Sequence, residues 1–392
     1  MSPLAKIFAA STDPALAESG GAHNQKGVDF QRYWAILRAL TLEQEGATDF
    51  VLLFESVQDV LELDSEHDPS RARVYQVKKK DSGEWDWKEL TALDGPPILK
   101  ADGTPRKKRQ PKNPDKARTF LDSPVGKLAA CVRVLSGIHT TGHFISNAGC
   151  AVPLATPPGG SASAAQQCNL GQLEKWYGTS LEASLSSLGE PSADPLPLAH
   201  LYLERTTVHP DAPEDALIGR ANLLLTSRSP AHAAQAKTLV QSLFVSVSAK
   251  GRHTGQCQTM EDLRKRRGFG RIDLQKSLSE LEKVPDLASL RATWMKRLAD
   301  EGFNFLEHTR VEVALSELER ERLSGIASTT EDFQATLAAW VSQNSPDSSL
   351  KSFLMSGAEQ LTTQFPTISR IRLYAHLLNQ GIKQCVDQAS EN

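Results

Sequence analysis

The stretch Asp49-Phe-Val-Leu-Leu-Phe-Glu-Ser-Val-Gln-Asp-Val-Leu-Glu-Leu-Asp64, followed closely by Arg71-Ala-Arg-Val-Tyr-Gln-Val-Lys-Lys-Lys80, decides the architecture of the N-terminal part. Asp49 to Glu55 is an almost unbroken apolar run and predicts a buried strand ending in an acid. Val57 to Leu63 alternates apolar and polar residues and predicts a second strand. Asp64 to Ser70, full of Asp, Glu, Pro and Ser, predicts the turn between strands. Arg71 to Lys80 alternates around Val74-Tyr-Gln-Val77 and predicts a third strand. Just upstream, Phe30, Tyr33, Trp34, Leu37 and Leu40 recur at steps of three and four, so Gly27 to Leu42 reads as an amphipathic helix. One helix followed by a three-stranded meander is the resulting frame.

Outward from this frame the pattern changes. Residues 1–20 are small, polar and broken by Pro and Gly, and read as a flexible arm. Residues 91–118 form a long polar insertion with the basic run Arg106-Lys107-Lys108-Arg109. Val125 to Leu135 reads as a second helix and Gly142 to Asn147 as a further short strand. Residues 151–170 are rich in Pro, Gly, Ser and Ala and read as a loop, as does Gly189–Pro197. Beyond residue 250 the chain is helical. Thr259 precedes Glu261 and Asp262, and Thr330 precedes Glu331 and Asp332, both as helix N-caps. The stripes Phe333, Leu337, Trp340, Val341 and Ile371, Tyr374, Leu377, Leu378 read as bundle core. The expected division is therefore an arm over 1–20, an α/β domain over 21–250, and a helical domain over 251–392.

Composition narrows the functional classes. A chain of 392 residues exceeds one ordinary core, and 40% hydrophobic with 23% charged residues is ordinary for a globular protein. The net charge of −3 means that nucleic-acid contact must come from local patches such as 106–109 or Arg264-Lys265-Arg266-Arg267. Five widely spaced cysteines without a Cys-x-x-Cys pair disfavour both a disulfide framework and a structural zinc site. With neither a signal-peptide pattern nor a long apolar span in the sequence, a cytoplasmic location is expected.

The chemistry concentrates in the meander. Hydrolysing a phosphodiester requires charge compensation, a deprotonated water and help for the leaving alkoxide, and a divalent cation held by hard oxygen ligands supplies these. Glu55 ends one strand and Asp59 opens the next, so their carboxylates can approach. Gln76 and Lys78 are two apart on the third strand and share a face. The expectation is Asp59 as main ligand of Mg²⁺ or Mn²⁺, Glu55 as a second, Gln76 and the Val77 carbonyl as oxygen donors, and Lys78 beside the attacking water. Gln31 on the first helix would complete the shell. Arg106, Lys107, Lys108, Arg109, Lys79 and Lys80 are the expected DNA-backbone contacts.

Gly27-Val-Asp-Phe-Gln31, Phe54-Glu55, Asp59-Val60 and Tyr75-Gln-Val-Lys78 together resemble a branch of the PD-(D/E)xK nucleases, the double-stranded DNA endonuclease domain of bacterial anti-phage effectors. The resemblance implies a restriction-endonuclease-like α/β domain followed by a mostly α-helical one, with metal-binding Asp59 and Gln76 and a water-assisting Lys78. Gln76 stands where the pattern has an acid, which lowers the negative charge of the site. Among relatives in the cyclic-oligonucleotide (CBASS) and Lamassu defence systems, length and the helical tail resemble the Lamassu nuclease subunit. That likeness implies an SMC-like ATPase partner, an accessory subunit, and a homo-oligomeric active form, a dimer or tetramer. No Gly-x-x-x-x-Gly-Lys-Ser/Thr occurs, so an ATPase would lie on another chain.

Two other readings compete. Gln76 motivates a nuclease-fold protein that only binds DNA or assembles. The pair His253 and Cys257 motivates a different hydrolase, with a thiol nucleophile or a metal pair, yet no further ligand stands at a plausible spacing. His139 and His143 read as satisfied structural histidines.

Overall fold

A computed structural model describes residues 2–13, 16, 25–97, 119–187, 196–251, 256–282, 287–324, 329–344, 346 and 349–390. The chain divides into two compact units, one of residues 1–217 with 247–271 and the other of 218–246 with 272–392.

The first unit is built on a seven-stranded mixed sheet. Its elements are α1 (Pro3–Thr12), α2 (Gln25–Gln44), β1 (Val51–Phe54), β2 (Val60–Leu63), β3 (Arg71–Lys78), α3 (Trp87–Thr91), α4 (Pro124–Val134), β4 (His139–Ser146), β5 (Gln167–Asn169), α5 (Lys175–Ser186) and β6 (Leu201–Arg205). Helices α6 (Pro213–Arg228) and α7 (Ala236–Gly251) lead away and back, and α8 (Met260–Arg267) and β7 (Gly268–Gly270) complete the unit. The strand order is β5-β6-β4-β3-β2-β1-β7. The antiparallel meander β1-β2-β3 continues into parallel β4 and β6, and antiparallel β5 and β7 form the edges.

The two sheet faces differ in chemistry because neighbouring residues of a strand point opposite ways. Leu61, Leu63, Ala72, Val74, Phe144 and Leu203 share one core with Leu128 and Val132 of α4 and Ile7 of α1. Gly142 in β4 admits this approach, since a Cβ there would lie 3.0 Å from Leu201 and 3.1 Å from Val132. On the opposite face α2 lays Trp34 against Tyr75, ring centroids 4.5 Å apart. That face also buries a charge. Glu62 accepts from Arg38 Nε at 2.7 Å and Nη2 at 3.0 Å, from Arg73 Nη1 at 2.5 Å and from the Tyr75 hydroxyl at 3.0 Å. Burial alone would raise the Glu62 carboxyl, but the hydrogen bonds and charges of Arg38 and then Arg73 hold it below the usual range.

Several expectations need correction. Residues 3–12 are not an arm but a helix. Ser2 caps it by accepting from Ala5 N, Pro3 stands in its first turn, and Ile7 and Ala10 are buried. Residues 151–170 are no loop throughout, since Cys168 is buried in β5, which pairs with β6. The second strand starts at Val60 rather than Val57, because Glu55 (φ +48°) and Gln58 (φ +57°) are left-handed and cannot continue an extended chain. The α/β part does not end at 250, since β7 pairs with β1 at Val51↔Gly270 and Leu53↔Gly268.

The second unit is helical. After parts of α6 and α7 it contains α9 (Arg271–Glu282), α10 (Leu287–Asp300), α11 (Phe305–Ser324), α12 (Glu331–Gln343), α13 (Leu350–Gln364) and α14 (Arg370–Ser390). Thr330 caps α12 by accepting from Phe333 N. Both expected stripes contribute to one core, with Phe333, Leu337, Trp340 and Val341 of α12 joining Tyr374, Leu377 and Leu378 of α14 and Ile371 packed against it. Gly357 lets these helices close, as a Cβ would fall 2.8 Å from Leu377 and Trp340. Among the described residues no helix is long and apolar enough to cross a membrane.

Candidate active site

The C-terminal end of β3 gathers the residues that the sequence singles out. Asp59 immediately precedes β2 and is buried at 2% exposure. Its Oδ2 accepts the Val77 backbone N–H at 2.7 Å and lies 3.4 Å from Lys78 Nζ. From α2, buried Gln31 donates Nε2–H to the Val77 carbonyl at 3.3 Å. Gln76, also buried, donates its Nε2–H to Gln58 Oε1 at 3.3 Å. One aspartate, two glutamine amides, a strand carbonyl and one lysine thus meet through the backbone of Val77 and its neighbours.

The turn that presents Asp59 is held from several sides. Glu55 N–H donates to the Asp59 carbonyl at 3.2 Å, and the Ser56 hydroxyl donates to Phe54 O at 3.2 Å. The Arg267 guanidinium, at the end of α8, donates to the Glu55 carbonyl at 2.6 Å. Glu55 is therefore tied to Asp59 through its main chain.

Beyond Lys78, β3 is clasped by Asn147. Lys80 N–H donates to Asn147 Oδ1 at 2.9 Å and Asn147 Nδ2 returns a bond to Lys80 O at 2.8 Å. Ser146 accepts from the Trp85 indole at 2.8 Å. The Phe144-Ile-Ser-Asn147 segment thereby fixes the strand end that carries Lys78.

The expected DNA contacts fare unevenly. Arg106, Lys107, Lys108 and Arg109 lie outside the described residues. Lys79 pairs with Asp81 at 2.7 Å. Lys80 donates to Glu89 and to the Glu84 carbonyl, each at 2.6 Å, and sits 4.6 Å over the Trp85 ring. Both lysines are thus engaged within the chain. The second basic run forms the last turn of α8, where Arg266 pairs with Asp262 and Arg267 holds Glu55.

The donor set suits a hard cation in kind, because the Asp59 carboxylate, the Val77 carbonyl and the glutamine amides all present oxygen. Among the described residues no cluster of three or more His, Cys, Asp or Glu could hold a metal ion. Among the described residues the oxygens gathered here belong to one carboxylate, glutamine amides and a strand carbonyl. The amide at 76 and the carboxylate at 59 fit such a site.

Comparison with known families adds an independent observation. Residues 19–102 match the family model described as Cap4, dsDNA endonuclease domain. The matched stretch holds α2, the meander, and Gln31, Asp59, Gln76 and Lys78. Over this part the chain is similar to a Cap4-type nuclease domain. No curated protein and no solved structure matches the chain.

The histidines flagged in the sequence lie elsewhere. His143 bonds Thr141 at 2.7 Å and Glu204, and stacks on Tyr202 at 4.8 Å, so it is a satisfied structural group. With His139 and Arg73 it lines a cavity of about 590 Å³ towards the start of β3, away from Lys78. His253 lies outside the described residues. Burial pushes the Cys257 thiol up, the reverse of what a thiolate nucleophile needs. Sequence reasoning missed Gln58 and Arg267 at the site, and Glu62 behind it.

Proposed function

We propose that the chain is a metal-dependent endonuclease cleaving double-stranded DNA with little sequence specificity, with its reaction centre at Asp59, Gln76 and Lys78 in a PD-(D/E)xK-type fold. The observation that carries this reading is the junction of Gln31, Asp59 and Lys78 at Val77, inside the segment that resembles a DNA endonuclease domain.

Asp59, Gln76 and the Val77 carbonyl would hold Mg²⁺ or Mn²⁺, with Glu55 as a further carboxylate. Bound there, a divalent cation supplies polarisation of the phosphate and a lowered pKa for water. Lys78, held 3.4 Å from Asp59, orients the attacking water and offsets the charge that develops on the phosphate oxygens. Gln31 fixes the Val77 carbonyl, whose second lone pair stays usable because an sp² oxygen accepts twice. Asp59 performs two tasks at once, since it also anchors the Val77 amide.

In the same reading the chain is the nuclease subunit of an anti-phage defence complex of the Lamassu type, with an SMC-like ATPase and an accessory subunit as partners. The basic run Arg106–Arg109 supplies contacts to the DNA backbone, and the helical unit is the assembly element. Phe305, Leu306 and Val313 on α11 are exposed and offer apolar surface for docking. Cutting is switched on by homo-oligomerisation, which pairs active sites across the two strands.

The test is cleavage of linear double-stranded DNA in Mg²⁺ or Mn²⁺ by the native chain and Lys78→Ala, with molecular mass recorded on the same samples. Cutting by the native chain alone supports the proposal. Absence of cutting by both, in monomeric and oligomeric fractions alike, hands the case to a DNA-binding scaffold.

A further inference from the structure

The sheet face that holds Glu62 also carries a cavity that the nuclease reading does not use. Strand register builds it. Arg71 and Arg73 of β3 stand beside His139 and Thr141 of β4, and His143 stands beside Tyr202 of β6. Gln167 of β5 opposes Glu204, two residues on from Tyr202. Alternate residues of a strand share a face, so these side chains project from the side on which Glu62 meets Arg73. Arg71, Arg73, His139, His143, Gln167 and Tyr202 line a cavity of about 590 Å³ there.

Its chemistry is one-sided. Among the described residues no acid lines it, although the chain as a whole carries a net charge of −3. The acids of this face are spent, Glu62 on Arg38, Arg73 and Tyr75, and Glu204 on His143 and Gln167. Arg71 is exposed, and its guanidinium has no hydrogen bond or ion pair among the described residues. Arg73 gives Nη1 to Glu62 and keeps 40% of its side chain exposed. Two guanidinium groups at same-face positions about 7 Å apart along a strand can grip one phosphate between them through paired N–H···O bonds.

The floor between the strands is fixed. His143 is buried, bonds Thr141 through Nε2 at 2.7 Å and Glu204 through Nδ1, and lies 5.0 Å from the Tyr75 ring and 4.8 Å from the Tyr202 ring. His139 and Tyr202 add flat rings beside the cations. Cations interleaved with aromatic rings take up a phosphate and a base together. The volume also falls within the range of about 300–1,000 Å³ that small ligands occupy.

We propose that this cavity binds a nucleoside phosphate, with the phosphate between Arg71 and Arg73 and the base against the His139 and Tyr202 rings. The site is separate from the candidate reaction centre. Arg71 opens β3 and Lys78 closes it, about 23 Å away at about 3.3 Å per residue.

The test is isothermal titration calorimetry of the full chain, native and Arg71→Ala, in EDTA so that no metal-held phosphate near Asp59 contributes. The probes are adenosine, guanosine, cytidine and uridine 5′-monophosphates, their parent nucleosides, and a short DNA duplex. The native chain should bind at least one monophosphate, and its nucleoside far more weakly. Arg71→Ala should weaken that binding by about 10–100-fold, the loss expected for a charge-assisted hydrogen bond. Its melting temperature should match the native one, because the side chain has no partner among the described residues. A native chain that binds none of the monophosphates overturns the proposal, as does equal affinity in Arg71→Ala. Arg71-dependent binding of the duplex without any monophosphate also overturns it and makes this face a DNA contact. The nuclease reading stands or falls separately, on Lys78→Ala.

Discussion

Replacing Glu62 with Gln removes the negative charge that sits buried between Arg38 and Arg73 while keeping its size. The carboxylate is 4% exposed and receives four hydrogen bonds. Losing one partner of a buried ion pair costs about 3–5 kcal/mol, because the other charge is left without compensation. The two arginines do not suffer equally. Arg73 is 40% exposed and can turn its guanidinium to water, whereas Arg38 is only 19% exposed and cannot. The loss should therefore fall near the low end, about 3 kcal/mol. For units of about 150–250 residues each kcal/mol lowers the melting temperature by about 2–4 °C, which gives about 6–12 °C. The native Glu62 pKa lies below its unfolded value of about 4.3. Its stabilisation is thus complete above that value and lost as pH falls from there through the native pKa. Differential scanning calorimetry at pH 7 and across pH 3–5 measures both effects, and Glu62→Gln should lower the transition and flatten its acid slope. Replacing the pair with Glu62→Leu and Arg38→Met should recover most of the loss. A loss under about 1 kcal/mol in Glu62→Gln, or an unchanged acid slope, would refute the reasoning.

Three further predictions follow from the same geometry. Lys78→Ala should lower the cleavage rate by about 10²–10³-fold with the melting temperature unchanged within a few degrees, as measured by supercoiled and linear DNA assays beside circular dichroism. Asn147→Ala removes both bonds to the Lys80 backbone and should cost about 1–3 kcal/mol in urea unfolding, with a parallel fall in cleavage as the end of β3 loosens. In the helical unit, burial and then Arg372 push the His376 imidazole down to about 4, outweighing Glu321. Between about 6.5 and 4 the unfolded chain therefore binds a proton that the native one refuses. Stability should fall over that window by up to about 3 kcal/mol and level off below it, and His376→Phe should remove this dependence in urea titrations at successive pH values.

The frame of the first unit was legible because its signals are local. Helix α2 shows its period, β1 its unbroken apolar run and β3 its alternation, so Gln31, Asp59, Gln76 and Lys78 could be placed on or beside elements that converge. The elements that escaped are those without room for a pattern. β7 is Gly-Phe-Gly and has one side chain to display, while its partner β1 lies more than 200 residues earlier. β5 is equally short and sits beside a Pro- and Gly-rich run. α1 carried a proper start in Ser2-Pro3, but its polar and glycine-bearing surroundings outweighed ten residues of helix. Polar residues at buried positions misled for a different reason. Glu62 reads as the solvent side of an alternating strand, and only the arrival of Arg38 from another element makes its burial stable. Gln58 likewise reads as an outward strand position, because nothing local foretells that Leu16 and Gln76 will bracket it.

The return of β7 to the sheet has a consequence for how this protein can be made and cut. A fragment ending near residue 217, where the first unit's long segment stops, would leave β1 as a raw edge and lack the Arg267 that holds Glu55. On the ribosome, likewise, the sheet stays unfinished until residue 270 has emerged, by which point 218–246 of the other unit has already been synthesised. The smallest fragment expected to fold with a complete sheet therefore runs to Arg271. A nascent chain holds an incomplete sheet for most of its synthesis, a built-in delay before the turn carrying Glu55 and Asp59 gains its last support.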